Sequence, residues 1–480
     1  MNPNENFNLL KENWIPVLWN NGKVTRVGIK EALTQAGKIR QIAASNPMDR
    51  VAIIRFLLAL LYWCKGNPLV EEEITGNSFP ADWFSKLDEN KDCFNLLGEG
   101  KRFYQYIKRG DEPRTANYLI HEVPTRTNKW HFRHSTDGLD GLCQSCCAMG
   151  LLRLPLFSTS AGRGYSPGVN AKPPIYVIPV GESLAVTIRL SWRQAGDLGT
   201  PAWEKPHLKL PKTGEVPLLT GMTWLPRRVW LSNQEQSESK CISCGCKEKL
   251  ILSSVFAGVG STKTDEDGPG RIWRDPHVIY EQSSKSDVIS LHARDALGGA
   301  DAAAGQWAKI MSGIIRENEG IRAWAVGFST VQNDKYLEAI ELLTPFSSSP
   351  DQSKSFIAKI EQWQQETWRL ASKVKKVLSE NEKGFSREHK EIQPALAAFR
   401  PHVENQVLEK VGELLAGGDE AWEEAAREYR PMMDAISKSL SPGFTSAAVQ
   451  RRQKIANTIP DMRTKTESAK KSPRKKGGEK

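Results

Sequence analysis

Cys143-Gln-Ser-Cys146 and Cys241-Ile-Ser-Cys244 are the two stretches on which the fold of this chain turns. Each has the C-x-x-C spacing of half a zinc site, in which two thiolates from one tight turn reach a single tetrahedral metal. The pairs stand 95 residues apart (241 − 146). One zinc shared by Cys143, Cys146, Cys241 and Cys244 would therefore staple two distant segments into one domain. The alternative is two pairs of reduced, unligated thiols.

Around these pairs the composition is that of a globular chain with real cores. Its 480 residues suffice for two or three domains, and the 39% hydrophobic and 25% charged shares describe a somewhat polar soluble protein. The 15 tryptophans imply large aromatic anchors. The longest apolar run, Val51 to Trp63, is too short to span a bilayer and contains Arg55. The N-terminus lacks the basic and apolar regions of a signal peptide, so a cytoplasmic location without membrane attachment is expected. In that compartment eight cysteines favour metal or free thiols over disulfides.

The net charge of +10 is unevenly placed. Residues 463–480 hold eight Lys and Arg against Glu467 and Glu479, a surplus of six. This tail, 461–480, reads as a disordered solubilising end or an unspecific phosphate-binding arm, so charge alone supports a nucleic-acid partner only weakly.

The expected fold class is α+β, with a large mixed α/β N-terminal domain over 1–345 carrying the zinc site. Trp14-Ile-Pro-Val-Leu18 reads as a strand, with Pro16 at an edge or a start. Asn46-Pro47 opens a buried helix, Asn46 capping it and Pro47 at its first position. Pro174–Val180 and Leu184–Leu190, joined by Gly181-Glu-Ser183, read as a β-hairpin, and Trp224–Leu231 as a further strand. Thr344-Pro-Phe-Ser-Ser-Ser-Pro350 is a linker. Beyond it apolar residues recur at helical spacing, as in Phe356, Ile360 and Trp363, then Phe399, Val403 and Val407. Four amphipathic helices with short turns predict a four-helix bundle over 346–460.

Several motifs invite chemistry. Gly162 and Gly164, in Ser160-Ala-Gly-Arg-Gly-Tyr-Ser-Pro-Gly168, remove side chains so that the backbone can approach another surface, a nucleic-acid groove or simply a neighbouring turn. Gly258-Val-Gly-Ser-Thr-Lys-Thr264 fails the phosphate-loop template, because no Gly directly precedes Lys263. A mobile loop carrying Lys263 toward DNA is still compatible with it. His131 and His134 lie three apart in a polar stretch without the Glu of H-E-x-x-H. Asp275-Pro-His277 and Asp49-Arg50 form no triad or acid–base set, and no clustered carboxylates suggest a two-metal nuclease.

Taken in order, these segments resemble the CasA-type large subunit of the type I-E CRISPR Cascade surveillance complex. The likeness is carried by Asn13-Trp-Ile-Pro-Val17, Gly141-Leu-Cys-Gln-Ser-Cys146 with Gly162-Arg-Gly164, Trp224-Leu-Pro-Arg-Arg-Val229 before the second cysteine pair, and Trp273-Arg-Asp-Pro-His277 after it. The resemblance implies a DNA-recognition subunit and not an enzyme. It implies that Gly162, Arg163 and Gly164 lie against the minor groove of a protospacer-adjacent motif and that Lys263 reaches groove acceptors. It further implies that Gln332 tips a wedge between Val331 and Asn333 that starts strand separation. Minor-groove readout is degenerate, so several motifs should be tolerated, with sequence read by guide pairing. Lys129, Phe132 and Arg133 resemble a loop anchoring the subunit near the guide's 5′ end. The implied partners are the backbone, small and 5′-end-binding subunits, guide RNA, double-stranded target DNA and a separate helicase-nuclease. Arg163 interrupts the glycine run of the family. A zinc-ribbon nuclease is the competing function, and a zinc-stabilised scaffold without DNA contact the plainest one.

Overall fold

The computed structural model describes residues 7–69, 76–120, 141–158, 168–170, 176–232, 235–236, 240–248, 250–260, 271–278, 322–331 and 335–345, with single helical positions at 446, 449, 450 and 453. The chain divides into two compact units, Met1–Phe346 and Ser347–Lys480. The expected four-helix bundle and basic tail lie otherwise outside the described residues.

The first unit opens with β1 (Ile15–Trp19), β2 (Val24–Val27), α1 (Ile29–Thr34), β3 (Ile39–Ile42) and α2 (Pro47–Lys65). After α3 (Ser85–Glu89) come β4 (Glu112–Thr115), β5 (Leu142–Cys143), α4 (Gln144–Phe157), β6 (Tyr176–Val180) and α5 (Leu184–Ser191). Then follow β7 (Gly214–Glu215), α6 (Leu218–Thr223), β8 (Arg227–Leu231), β9 (Glu235–Gln236), β10 (Ile251–Leu252), β11 (Ser254–Val259) and β12 (Arg271–Ile272). The long strands β13 (Arg322–Val331) and β14 (Lys335–Pro345) close the unit.

Small sheets surround one long helix. β1 is the centre of an antiparallel β2-β1-β3 sheet. Pro16 is tolerated there because the ladder to β3 begins one residue later, at Val17 opposite Ile42. β11 lies between β4 and β8, and β13 between β14 and β6, all antiparallel.

Helix α2 starts as its sequence predicts. Asn46 accepts a hydrogen bond from the Met48 amide, and Pro47 occupies the first turn where its missing N–H costs nothing. From Val51 to Trp63 every residue is buried, so the helix is apolar all round because it runs through the core. Phe56 and Trp63 meet Trp203 edge-on, with ring centroids 5.7 and 5.6 Å apart. Trp14, Trp192 and Trp224 are also fully buried. Truncating such anchors costs about 3–5 kcal/mol each. Among the described residues no helix is long and apolar enough to cross a membrane.

The single charge in the apolar run, Arg55, is 3% exposed. Its guanidinium donates to both Asp275 carboxylate oxygens, at 2.6 and 2.7 Å, and to His277 Nδ1 at 3.0 Å, and lies 4.5 Å from the Tyr176 ring. Asn170 donates to Asp275, and His277 Nε2 reaches Ser191 at 2.9 Å. Asp275 and His277 thus belong to a buried strut joining α2, β6 and α5. Asp49 pairs with Arg153 of α4, at 3.3 Å.

One element departs from expectation. The segment after Gly181 is not the second arm of a hairpin but helix α5. Ser183 caps it by accepting from the Val186 amide, and the Gly181 amide donates to Thr187 Oγ1. β6 finds its partner in β13 instead, with Tyr176 opposite Val326. Within Trp224–Leu231 the strand proper begins at Arg227, because Trp224 ends α6.

Candidate metal centre and nucleic-acid interface

The two cysteine pairs converge. Cys143 ends β5 and caps α4, its sulfur accepting from the Cys146 amide at 3.5 Å. Strand β10 brings the second segment alongside by pairing Ile251 with Cys143. The second segment is itself a tight knuckle. Lys240 bridges to Lys247, the Cys241 amide donates to the Cys246 carbonyl at 2.8 Å, and Gly245 takes a positive φ of 73°. The Ile242 amide then donates to the Gly141 carbonyl at 3.1 Å, which ties knuckle to strand. Gly141 must be glycine, for its φ is 83° and a Cβ would collide with the Leu252 carbonyl.

Sulfur atoms of Cys143, Cys241, Cys244 and Cys246 lie within 4.8 Å of one another. Cys146 also touches Cys143, Cys241 and Cys244 through its thiol. Five sulfurs therefore gather where four were expected, and Cys246 is the one the spacing did not single out. The C-x-x-C-x-C run of Cys241, Cys244 and Cys246 was the signal for it. All eight cysteines are free thiols.

The donor set suits a metal. Zinc–sulfur bonds of about 2.3 Å in a tetrahedron place sulfurs roughly 3.8 Å apart. Cys143 and Cys244 are separated by 3.7 Å. Amide donors aim at the sulfurs too, with the Cys143 amide 3.4 Å from Cys241 Sγ. Hydrogen bonds from Cys143 and then Cys146 pull the Cys241 thiol down to about 6, so a thiolate is favoured there. Arg26 of β2 stands beside this cluster. Burial lowers its pKa, but a hydrogen bond to Cys244 and the charges of Cys244, Cys143 and Cys246 raise it above the ordinary value. A guanidinium is what an anionic thiolate cluster needs nearby. The four ligands would supply a structural staple, since a tetrahedron of thiolates leaves no open position for a substrate.

The expected DNA-contacting residues are another matter. Gly162, Arg163, Gly164, Lys263, Gln332, Asn333, Lys129, Phe132 and Arg133 lie outside the described residues, as do His131 and His134. Val331 is the last residue of β13. The segments that flank them are described. Gly168 donates to the Ser158 carbonyl at 3.2 Å, which joins the two ends of the glycine-containing stretch at the end of α4. Gly260, just after β11, donates to Pro226, and β12 resumes at Arg271, so Lys263 falls between these two anchors. β13 and β14 pair Val331 with Lys335, on either side of Gln332 and Asn333. Two of these bases share a residue. Tyr176 donates its hydroxyl to the Leu156 carbonyl at 3.1 Å, stacks edge-on with Phe157 and pairs with Val326 of β13.

The described part of the first unit is thus a mixed α/β fold in which a thiol cluster joins two distant segments. The family model for CRISPR-associated protein Cse1 matches residues 8–459, and the chain belongs to that family. It is 29% identical over 219 residues to CRISPR-associated protein CasA/Cse1 of Thermus thermophilus, an alignment spanning 43% of this chain and 43% of that relative's length. Its fold is like that of Cse1 from Acidimicrobium ferrooxidans, with a TM-score of 0.64 at 16% identity over 97% of this chain and 99% of the other. It is also like a chain of a CRISPR RNA-guided surveillance complex, with a TM-score of 0.61 at 13% identity, covering 95% of this chain and 98% of that one.

Proposed function

We propose that this chain is the non-catalytic large subunit of a type I-E CRISPR RNA-guided surveillance complex. In this reading it recognises a protospacer-adjacent motif in double-stranded DNA through the minor groove, begins strand separation, and recruits a helicase-nuclease that does the cutting. The observation that carries the reading is the family match along nearly the whole chain. Its support in the fold is the anchoring of the three segments that hold the expected DNA-facing residues.

Each segment has its part. Gly162 and Gly164 leave the backbone free to enter a narrow groove, with Arg163 near a phosphate. Lys263 reaches groove acceptors. Gln332, between Val331 and Asn333, wedges beside the motif. Unstacking costs a few kcal/mol per step, offset by the binding that the opened duplex permits. Lys129, Phe132 and Arg133 hold the subunit near the guide's 5′ end, against its backbone and 5′-end-binding neighbours. The expected bundle faces the small subunits and the displaced strand.

The metal in this reading is one zinc on Cys143, Cys146, Cys241 and Cys244. Cys246 stands 3.1 Å from Cys244, closer than the roughly 3.8 Å edge of a zinc–thiolate tetrahedron. Cys146 is buried in the first turn of α4, beside Cys143, Cys241 and Cys244.

The test is direct. Gln332→Ala and Lys263→Ala should each weaken binding of motif-bearing duplex tenfold or more, on the order of 1.4 kcal/mol, while the complex assembles normally. Unchanged target binding in both would remove the mechanism. Cutting of labelled DNA by the isolated chain with Mg²⁺ would favour the nuclease instead.

A further inference from the structure

A basic surface is built on the turn that precedes β4. The turn Lys108–Asp111 follows Tyr106, and it is built rigidly. The Lys108 amide donates to Asp111 Oδ2 at 2.8 Å, the Asp111 amide returns a bond to the Lys108 carbonyl at 3.1 Å, and Gly110 takes a φ of 93°. Asp111 is in turn clamped by Arg228 of β8. Lys108 and Arg109 are left exposed, and Ile107 beside them is 46% exposed.

The segment from Lys205 to Lys209 comes up against this turn. The His207 ring lies 5.7 Å from that of Tyr106, whose other neighbour is the Arg228 guanidinium at 6.0 Å. Lys205, His207 and Lys209 are exposed. The acids of both segments are engaged elsewhere. Asp111 is held by Arg228, Glu112 pairs with Arg114, and Glu204 accepts from the Trp63 indole at 2.7 Å. Lost hydration, and then the charges of Lys108, Lys209, Arg228 and Lys205, hold the His207 imidazole below its ordinary value. Cations from two distant segments thus converge on the Tyr106–His207 ring pair.

We infer that Lys108, Arg109, Lys205 and Lys209 form a preorganised binding surface for a phosphodiester backbone, flanking the Tyr106–His207 ring pair. Four cations on a fixed turn and its neighbour would attract a line of phosphates without reading sequence. The choice of nucleic acid over an acidic protein rests on the function proposed above, but the patch itself does not use Gln332, Lys263 or the glycine stretch.

The experiment uses the full chain and a labelled duplex of scrambled sequence, titrated at several salt concentrations. In Lys108→Ala/Arg109→Ala/Lys205→Ala/Lys209→Ala the slope of log affinity against log salt should become shallower by about 0.9 for each phosphate no longer neutralised. Affinity at moderate salt should fall about tenfold. The ratio of motif-bearing to scrambled affinity should stay as it is. That ratio reads the proposed motif recognition, and Gln332→Ala tests it separately. If Gln332→Ala left the ratio intact while the fourfold variant flattened the slope, motif recognition would fail and the patch would stand. A parallel titration with labelled guide RNA tells the two phosphate sources apart, and weaker binding of either supports the surface. On the unaltered protein, bound duplex or RNA should protect Lys108, Lys205 and Lys209 from an amine-reactive reagent. A salt slope unchanged for both nucleic acids, or lysines as reactive with them as without, would overturn the inference. So would variants that break subunit assembly alone, which would make the patch a protein interface.

Discussion

Cys146 and Cys246 are the two candidates for a fourth ligand beside Cys143, Cys241 and Cys244, and in the proposed zinc site the short Cys244–Cys246 distance favours Cys146. A sulfur 3.1 Å from Cys244 is too near to share a zinc tetrahedron with it. Cys246→Ser should therefore keep about one zinc per chain, and Cys146→Ser should lose it, as metal analysis of the purified variants will show. The reverse pattern would move Cys246 into the ligand set. A second residue with a measurable signature is His277. Burial, and then the Arg55 charge, bring its imidazole from 6.5 down to about 3. Between those values the unfolded chain carries a proton that the folded chain does not. The stability tied to His277 is therefore complete above pH 6.5 and falls as pH drops, by about 1.4 kcal/mol per pH unit. Asp275 acts lower. Burial raises its pKa, but Arg55 outweighs that and holds it below 3.8, so its contribution is lost only as pH falls beneath that value. His277→Asn should flatten the pH dependence of urea unfolding across the histidine window. Equal slopes in the two proteins would show that another group titrates there.

At the scale of elements, α5 shows how local chemistry overrules pattern. Leu184, Val186, Ile188 and Leu190 alternate as a strand would, yet Leu184, Ala185 and Ile188 also fall on one helical face, and it is the helix that forms. The Ser183 cap settles the choice by satisfying an amide that a helix start would otherwise leave bare. Ser183→Ala should cost about 1 kcal/mol of unfolding free energy. A denaturation midpoint that does not move would mean that packing against β6 and α2 holds α5 without its cap. The same competition explains β1, where a proline sits in a central strand because its ladder to β3 starts one residue later. In α2 both levels agree: a good cap, a proline at its first position and a long apolar run together specify a buried helix.

For the whole molecule, the thiol cluster links residues far apart in the chain, so removing a metal held there should act globally. Ligand binding that favours the folded state adds its free energy to stability. Stripping zinc with a strong chelator under mild denaturant should lower the melting temperature of the full chain, and re-adding zinc should restore it. A melting curve indifferent to both would make the cysteines a hydrophobic cluster and not a staple. The proposed surveillance role is likewise a property of the whole. The segments with the expected DNA-facing residues start from different elements, and Tyr176 ties the base of one to the strand that carries another.

Much of this was legible in residues alone. The Asn46-Pro47 start and the apolar run behind it read correctly, and the two C-x-x-C spacings pointed to a thiol cluster that the fold does gather, because each depends on neighbours within a few positions. The order of motifs along the chain pointed to the family for the same reason. What only the tertiary structure decided involves partners far off in sequence. Nothing local announces that Arg55 will meet Asp275 and His277, that Cys246 will join the sulfurs, that β6 will pair with β13, or that Lys108 and Lys205 will share a surface. Such pairings depend on which segments the core brings together. A buried charge, a fifth sulfur and a patch of cations have no periodicity to betray them, and only burial and distance do so.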